Sequence, residues 1–406
     1  MRGTRDLLLV SGGAAVSAFG NALSTIVLLL HAQKLGPLAV AGVLVAGMIP
    51  VALGAPLAGT LVDRLPNRRL LICALLLQAL ATAAVTAVLD HLVLVLVLLL
   101  LIGCGTAVAD PAASALVPKI AGENESSRGY SWGATGRSTG LLAGTSAGSL
   151  LVAGVGYGPA LLIDAFTFAA EALALLNVRA ERDPRGEPNG EHGRSGAMAG
   201  LAHIRRDPVL AVSVGGLAFA VGCIVLINVA DPFYVVDVLH GNAVTLGAMQ
   251  SCWVVGMLIG ARAAVRVRTQ QQLLFALGLA GCGIGLAACL PAAVPVVWVA
   301  GPAWMVAGGS NSMQNVTHRA LVRLRTPEML RGRVFAAASS ALITANLLGT
   351  AASAGVMELV GPRWAFAIGG AGAAVAGLSA LVACLRQTGP EQAERPARAA
   401  SRGGSI

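Results

Sequence analysis

Four carboxylates, Asp110, Asp164, Glu171 and Asp231, interrupt otherwise apolar stretches of the sequence. An ionised group in such surroundings costs several kcal/mol unless it is paired or protonated, so each is a candidate for carrying a proton or forming a buried ion pair. Glu171 has no basic residue in its own stretch and can instead make a structural hydrogen bond to a neighbouring helix. Asp164 lies near the outer end of its stretch, where it can hold a loop, and Asp231, one turn after Asn228, can equally cap a helix before Pro232. The uncharged residues Asn21, Ser24, Asn228, Asn311 and Gln314 suit contacts to a small-molecule substrate, with hydrogen bonding between helices an equal alternative.

Other chemistries lack their residues. Gly144-Thr145-Ser146-Ala147-Gly148 has the spacing of a nucleophile elbow, but that motif needs a strand, a turn and a helix, and this stretch reads as one continuous helix. A phosphate-binding loop needs Gly-Lys-Ser/Thr, and neither Lys34 nor Lys119 has that setting. The seven cysteines form no Cys-x-x-Cys pair and have no histidine at ligand spacing, so they read as small buried apolar residues. No catalytic residue, metal or cofactor is expected, and the chain is not read as an enzyme. Sixteen aromatic residues among abundant alanine and glycine point to close helix packing rather than an aromatic cavity.

Composition dictates the elements that must position these residues. Charged residues make up 12% of the chain, against about 25% in ordinary soluble domains, and the mean hydropathy is +0.76. Hydrophobic residues reach 56%, so most of the surface faces lipid and the fold class is an all-α integral membrane protein. A crossing helix needs roughly 20 apolar residues. Uncharged runs at 7–33, 35–62, 70–89, 91–109, 138–163, 208–230, 238–261, 334–357 and 364–385 supply nine spans. The run 269–318 breaks at Leu290-Pro291-Ala292-Ala293-Val294-Pro295 into two more, and 160–178 makes twelve transmembrane helices. The start resembles a signal peptide, but its apolar run continues to Leu30, so it is read as the first span.

With both termini cytoplasmic, only Lys34 and Arg363 of the 28 basic residues fall outside, the positive-inside pattern of a multi-pass protein of the cell inner (plasma) membrane. The net charge of +9 then reflects loops facing an anionic lipid bilayer, and no nucleic-acid partner is expected. Asp110 lies about seven residues from the cytoplasmic end of its span and Arg137 about six from that of the next. Both sit roughly 10 Å deep, and an ion pair at matched depth is expected.

The chain also repeats itself. Gly42 matches Gly247, and Ala115-Leu116-Val117 matches Ala320-Leu321-Val322, both at an offset of 205. Arg68-Arg69-Leu70-Leu71 faces Gln271-Gln272-Leu273-Leu274, and Arg128-Gly129 faces Arg331-Gly332, at 203. Two pseudo-symmetric six-helix halves follow, 1–178 and 208–385, with a cytoplasmic central linker at 179–207 and a cytoplasmic tail at 386–406. Parallel repeats of this kind place a substrate site at a midplane interface.

The loop Gly59-Thr60-Leu61-Val62-Asp63-Arg64-Leu65-Pro66-Asn67-Arg68-Arg69 resembles motif A of the major facilitator superfamily. The resemblance points to a gating latch of Gly59, Asp63, Arg64, Arg68 and Arg69; the helix dipole would favour Asp63 at the N-terminus of the eleventh helix near Arg333, and matched depth would let Asp110 bridge Arg137 and Arg68. Pro111-Ala112-Ala113-Ser114-Ala115-Leu116-Val117-Pro118, Asp164-Ala165-Phe166-Thr167-Phe168, Arg205-Arg206-Asp207-Pro208 and Thr326-Pro327-Glu328-Met329-Leu330-Arg331-Gly332-Arg333 resemble the macrolide-efflux and enterobactin-exporter branch. That branch implies a monomeric secondary transporter exporting a small amphipathic molecule by alternating access, with protons as coupling ion and a role in multidrug resistance. The antiporter motif of the fifth span appears as Gly140-x-x-x-Gly144-Thr145-x-x-Gly148-Ser149, with Thr145 where proline is usual, and the fourth span lacks the arginine of motif B. A facilitator or importer on the same fold is the alternative. A membrane subunit of an ATP-driven complex is less favoured, because the loops are short.

Overall fold

The computed structural model describes residues 2–121, 126–178 and 194–387, with backbone alone at a few positions that include Asp63. The first half is built from α1 (Arg2–Gln33), α2 (Pro37–Arg64), α3 (Asn67–Ala87), α4 (Leu92–Ala121), α5 (Ser126–Val155) and α6 (Tyr157–Leu176). A short α7 (Arg194–Arg206) precedes the second half of α8 (Pro208–Phe233), α9 (Ala243–Ala264), α10 (Gln270–Ala293), α11 (Val297–Arg325) and α12 (Arg331–Gln387). The 57-residue α12 breaks at Gly361, where φ is 76°, so it is two spans back to back. By length the described residues supply twelve helices able to cross a membrane, in two halves; ten candidate spans also meet the hydropathy requirement, with α12 counted once and the more polar α11 not among them.

Local sequence explains where helices begin. Pro37 and Pro208 occupy first-turn positions where a missing N–H costs nothing. Asn242 with Thr245, and Thr269 with Gln272, form reciprocal capping boxes at α9 and α10. The helices run beyond the uncharged stretches: α4 and α5 have 30 residues each, so most of the interval 110–137 between two of those stretches is helical. Polar turns outside the hydrocarbon can remain helical in water, which a count of uncharged residues does not register.

Helix pairing repeats between the halves. α1 packs on α5 and α6 as α8 packs on α12, α2 packs on α4 as α9 packs on α11, and α3 packs on α6 as α10 packs on α12. Gly136, Gly140 and Gly144 of α5 lie against the carbonyls of Ser11, Ala15 and Phe19 of α1, leaving no room for a side chain. Gly349 of α12 stands likewise against the Gly222 carbonyl of α8. The antiporter-like and elbow-like spacing on α5 is therefore a close-packing stripe. Between α5 and α6 the chain turns on Gly156 alone, with φ 83° and ψ −174°; at Gly361, 205 positions on, φ is 76° and ψ 171°.

The halves share one apolar core only at the end away from the described chain ends, the far end. Leu23, Val27 and Val40 join Phe233, Tyr234, Met249 and Phe366 there. At the near end, the buried apolar clusters are confined to single halves, one around Leu71, Leu116 and Phe168 and two in the second half. Buried apolar packing between the halves is thus concentrated at the far end. The cysteines correct their expected burial: only Cys384 is buried, whereas Cys73 and Cys104 are exposed, because apolar side chains of a membrane protein can face lipid.

Candidate functional site

The first half holds a polar cavity of about 260 Å³ that opens among α1, α3, α4, α5 and α6. Arg137 donates through Nη2 to Asp110 Oδ1 at 2.8 Å, and both side chains are more than half exposed. They stand on different helices at equal depth, Asp110 eleven residues before Ala121 and Arg137 eleven after Ser126, or roughly 16 Å from each helix end. Glu171 reaches the same cavity from α6, hydrogen-bonded to Ser17 and within electrostatic range of Arg137 and Asp110. Asn21, Gln78 and Thr106 complete its polar lining. One guanidinium and two carboxyls in a shared cavity can pair and re-pair as a proton arrives or leaves.

The second half holds a different cavity, about 290 Å³, among α8, α9, α10, α11 and α12. Asp231 is its sole ionisable lining residue, accompanied by Asn228, Gln250, Trp253, Trp304 and Phe366. Gln250 Nε2 donates to Asp231 Oδ2 at 2.7 Å, while the buried Oδ1 has no hydrogen-bond partner. Pro232 does not end the helix: α8 continues into a π-helical turn, Tyr234–Val238, so Asp231 is an intrahelical residue and not an interfacial cap. The aromatic lining also corrects the expectation of close packing without an aromatic cavity. A larger apolar groove of about 380 Å³ between α9, α10 and α11 is walled by the exposed Ile259, Leu279 and Val306 and contains no ionisable group, as suits a lipid-facing surface.

Other candidates take structural positions. Asp164 is 2% exposed and accepts from Ser24 Oγ at 2.5 Å and Thr167 Oγ1 at 3.3 Å, so it clamps α6 to α1 instead of holding a loop. Ser24, expected as a substrate contact, is spent on that clamp. Gln314 is buried at 4%, and Asn311 accepts from Asn315 one turn on, so neither lines the two polar cavities. Asn21 and Asn228 are exposed and line one cavity each.

Arg68 does not join Asp110: its Nε and Nη2 donate to the carbonyls of Leu175 and Leu176, at 2.9 and 2.7 Å, closing the C-terminus of α6. Carbonyls at a helix end lack intrahelical donors and draw the guanidinium away. The side chain of Asp63 lies outside the described residues, Gly59 has open space where a side chain would stand, and Arg64 and Arg69 are exposed. Arg363 repeats the Arg68 contact at the far end, donating to Ala292 and Ala293 carbonyls.

Two polar ties went unanticipated. Ser213 and His318 meet at 3.0 Å between α8 and α11, buried in the second half. Asp207 caps α8 through the N–H groups of Val209 and Leu210 and accepts from Arg325 Nε at 2.9 Å. Partial burial raises the Asp207 carboxyl, but the Arg325 bond and charge and the two backbone N–H groups outweigh it, holding the group below the usual carboxylate range. The Arg205-Arg206-Asp207-Pro208 string contained the signal, an aspartate before a proline-started helix.

Comparison with known proteins fits this architecture. The sequence pattern of the Major Facilitator Superfamily matches residues 10–317. No curated protein matches by sequence. A solved POT family transporter in complex with a thioalcohol-conjugated peptide superposes with a TM-score of 0.74 at 13% identity, covering 95% of this chain and 97% of that one. A nucleoside transporter gives 0.75 at 12%, covering 93% and 99%. A bacterial homologue of the iron transporter ferroportin, in an inward-facing state, gives 0.73 at 16%, covering 94% and 99%.

Proposed function

The chain belongs to the Major Facilitator Superfamily, and on that premise we propose that it is a proton-coupled antiporter exporting a small amphipathic molecule across the cell inner membrane by alternating access. The observation that carries the reading is the Asp110–Arg137–Glu171 cluster in the cavity of the first half, beside halves whose shared apolar core lies toward one end. The positive-inside pattern supports cytoplasmic termini, and on that orientation we read this as the cytoplasm-open state. Substrate enters between the halves; a proton taken up from outside by Glu171 in the opposite state is released to the cytoplasm in this one. Arg137 pairs with Asp110 in this state, leaving Glu171 as the exchanging carboxyl. The protein acts as a monomer, and its substrates are drug-, antibiotic- or siderophore-like, as in the exporter branch its motifs resemble.

Motif A completes the cycle in the outward-open state, with Asp63 docking at the start of the eleventh span near Arg333. In the cytoplasm-open state Arg68 is occupied at the end of α6 and the Arg333 carbonyl is covered by Gly200 of α7, an arrangement that supports a released latch. A facilitator mechanism is the second reading, favoured by the use of the α5 glycines for packing. Reconstituted proteoliposomes with an imposed pH gradient decide between them. Antiport requires substrate flux to move protons in the opposite direction; counterflow with no proton movement leaves a facilitator, and accumulation inside right-side-out vesicles reverses the direction.

A further inference from the structure

We propose that the cavity of the second half is a binding site for an organic cation, with Asp231 as counter-charge and Trp253, Trp304 and Phe366 as walls. The proposal rests on the transport reading and names the substrate class for it.

The carboxylate comes first. Asp231 is 5% exposed at membrane depth, and its Oδ2 accepts from the neutral Gln250 amide. Oδ1 is buried without a partner on the wall of a cavity large enough for a small ligand. The Trp304 indole N–H is a further donor beside the same carboxylate and is likewise neutral, so neither partner cancels its charge. Arg363, from the adjoining end of α12, is turned to the carbonyls of Ala292 and Ala293 and supplies no counter-charge.

The walls identify the missing partner. Trp304 and Phe366 stand 5.3 Å apart, backed by Tyr234, which lies 4.5 Å from Phe366 and donates its hydroxyl to the Pro291 carbonyl. Aromatic faces attract a positive charge without binding water tightly, which suits a substituted ammonium. A hard metal ion needs several oxygen ligands, and no cluster of three or more His, Cys, Asp or Glu occurs among the described residues. Pro232 cannot donate the N–H that would occupy the Asn228 carbonyl, so the helix offers a further acceptor one turn below Asp231. The exposed Asn228 side chain lies at the same level, on the side from which a substrate entering from the near end would arrive.

The test is direct binding to the full-length chain in nanodiscs, read by titration calorimetry with benzyltrimethylammonium and its neutral carbon analogue, neopentylbenzene. Saturable binding of the cation, weakened about tenfold or more by Asp231→Asn and restored by Asp231→Glu, supports the site. Trp253→Leu is expected to weaken it severalfold, and Asp90→Asn, which removes a carboxylate from an exposed turn, leaves it unchanged. Equal affinity for the neutral analogue, no binding of the cation, or no change with Asp231→Asn overturns it. Each variant is first checked for a monodisperse elution profile. Because binding is measured without transport, lost flux with intact cation binding would strike the antiport reading alone, and proton-coupled flux of neutral compounds alone would strike this one.

Discussion

The polar centres of the two halves occupy a shared helix framework and differ in nearly every chemical respect. In the first, Asp110, Arg137 and Glu171 share an open cavity in which opposite charges can exchange partners. In the second, a lone Asp231 is enclosed by Trp253, Trp304 and Phe366. The conserved part of the repeat is the packing, seen in the paired contacts of α5 on α1 and α12 on α8. The contrast teaches that a duplicated frame can separate two tasks, holding exchangeable charge in one half and recognising a molecule in the other.

Breaking the division should be most visible at Glu171. Glu171→Gln is expected to lower gradient-driven flux by roughly a hundredfold, the scale of losing an obligatory proton carrier, while leaving counterflow of bound substrate measurable in proteoliposomes. Loss of both activities equally would place Glu171 in structure instead. Next is the shared frame: Gly144→Val and Gly349→Val should each destabilise the protein by about 1–3 kcal/mol through helix separation, read as a fall in thermal midpoint, and similar losses would sharpen the pseudo-symmetry. A large loss in one half only would break it.

A comparable effect belongs to the Asp164 clamp. Ser24→Ala removes one donor and leaves a buried carboxyl short of a partner, for a cost of about 1–3 kcal/mol in stability with gradient-driven flux per folded molecule unchanged. The smallest is at the near end of the second half. Because Asp207 is held below its unfolded value of 3.8, its bond to Arg325 stabilises the fold fully above that value and ceases to do so as pH falls through the lower folded one. Arg325→Gln should therefore cost under about 1 kcal/mol at neutral pH and nothing at the acid limit, seen in thermal midpoints scanned against pH.

The spans were legible because hydropathy over some 20 residues is a strong and local signal, and the repeat was legible because anchors such as Leu116 and Leu321 occupy equivalent, fully buried positions. Matched depth was enough to bring Asp110 and Arg137 under consideration as a pair. The role of Arg68 was not legible: its partners are backbone carbonyls more than 100 residues away, which carry no side-chain signature. Nor was the aromatic cavity, since Trp253, Trp304 and Phe366 come from three helices and no spacing within the sequence joins them. Glu171 illustrates the remaining difficulty, for its sequence setting suits a structural hydrogen bond as well as proton exchange, and only the fold brings the carboxyl to the cavity.

The single-glycine turns at Gly156 and Gly361 have a consequence for biogenesis. A polar loop lets a translocon handle neighbouring spans one after the other, since each can wait in the bilayer with a hydrated connector outside. Here α5 and α6, and likewise the two parts of α12, are joined by one residue in the left-handed region, where an L side chain would be strained. The last two spans of each half therefore form a tight helical hairpin with no hydrated connector between them, and are expected to insert as a pair.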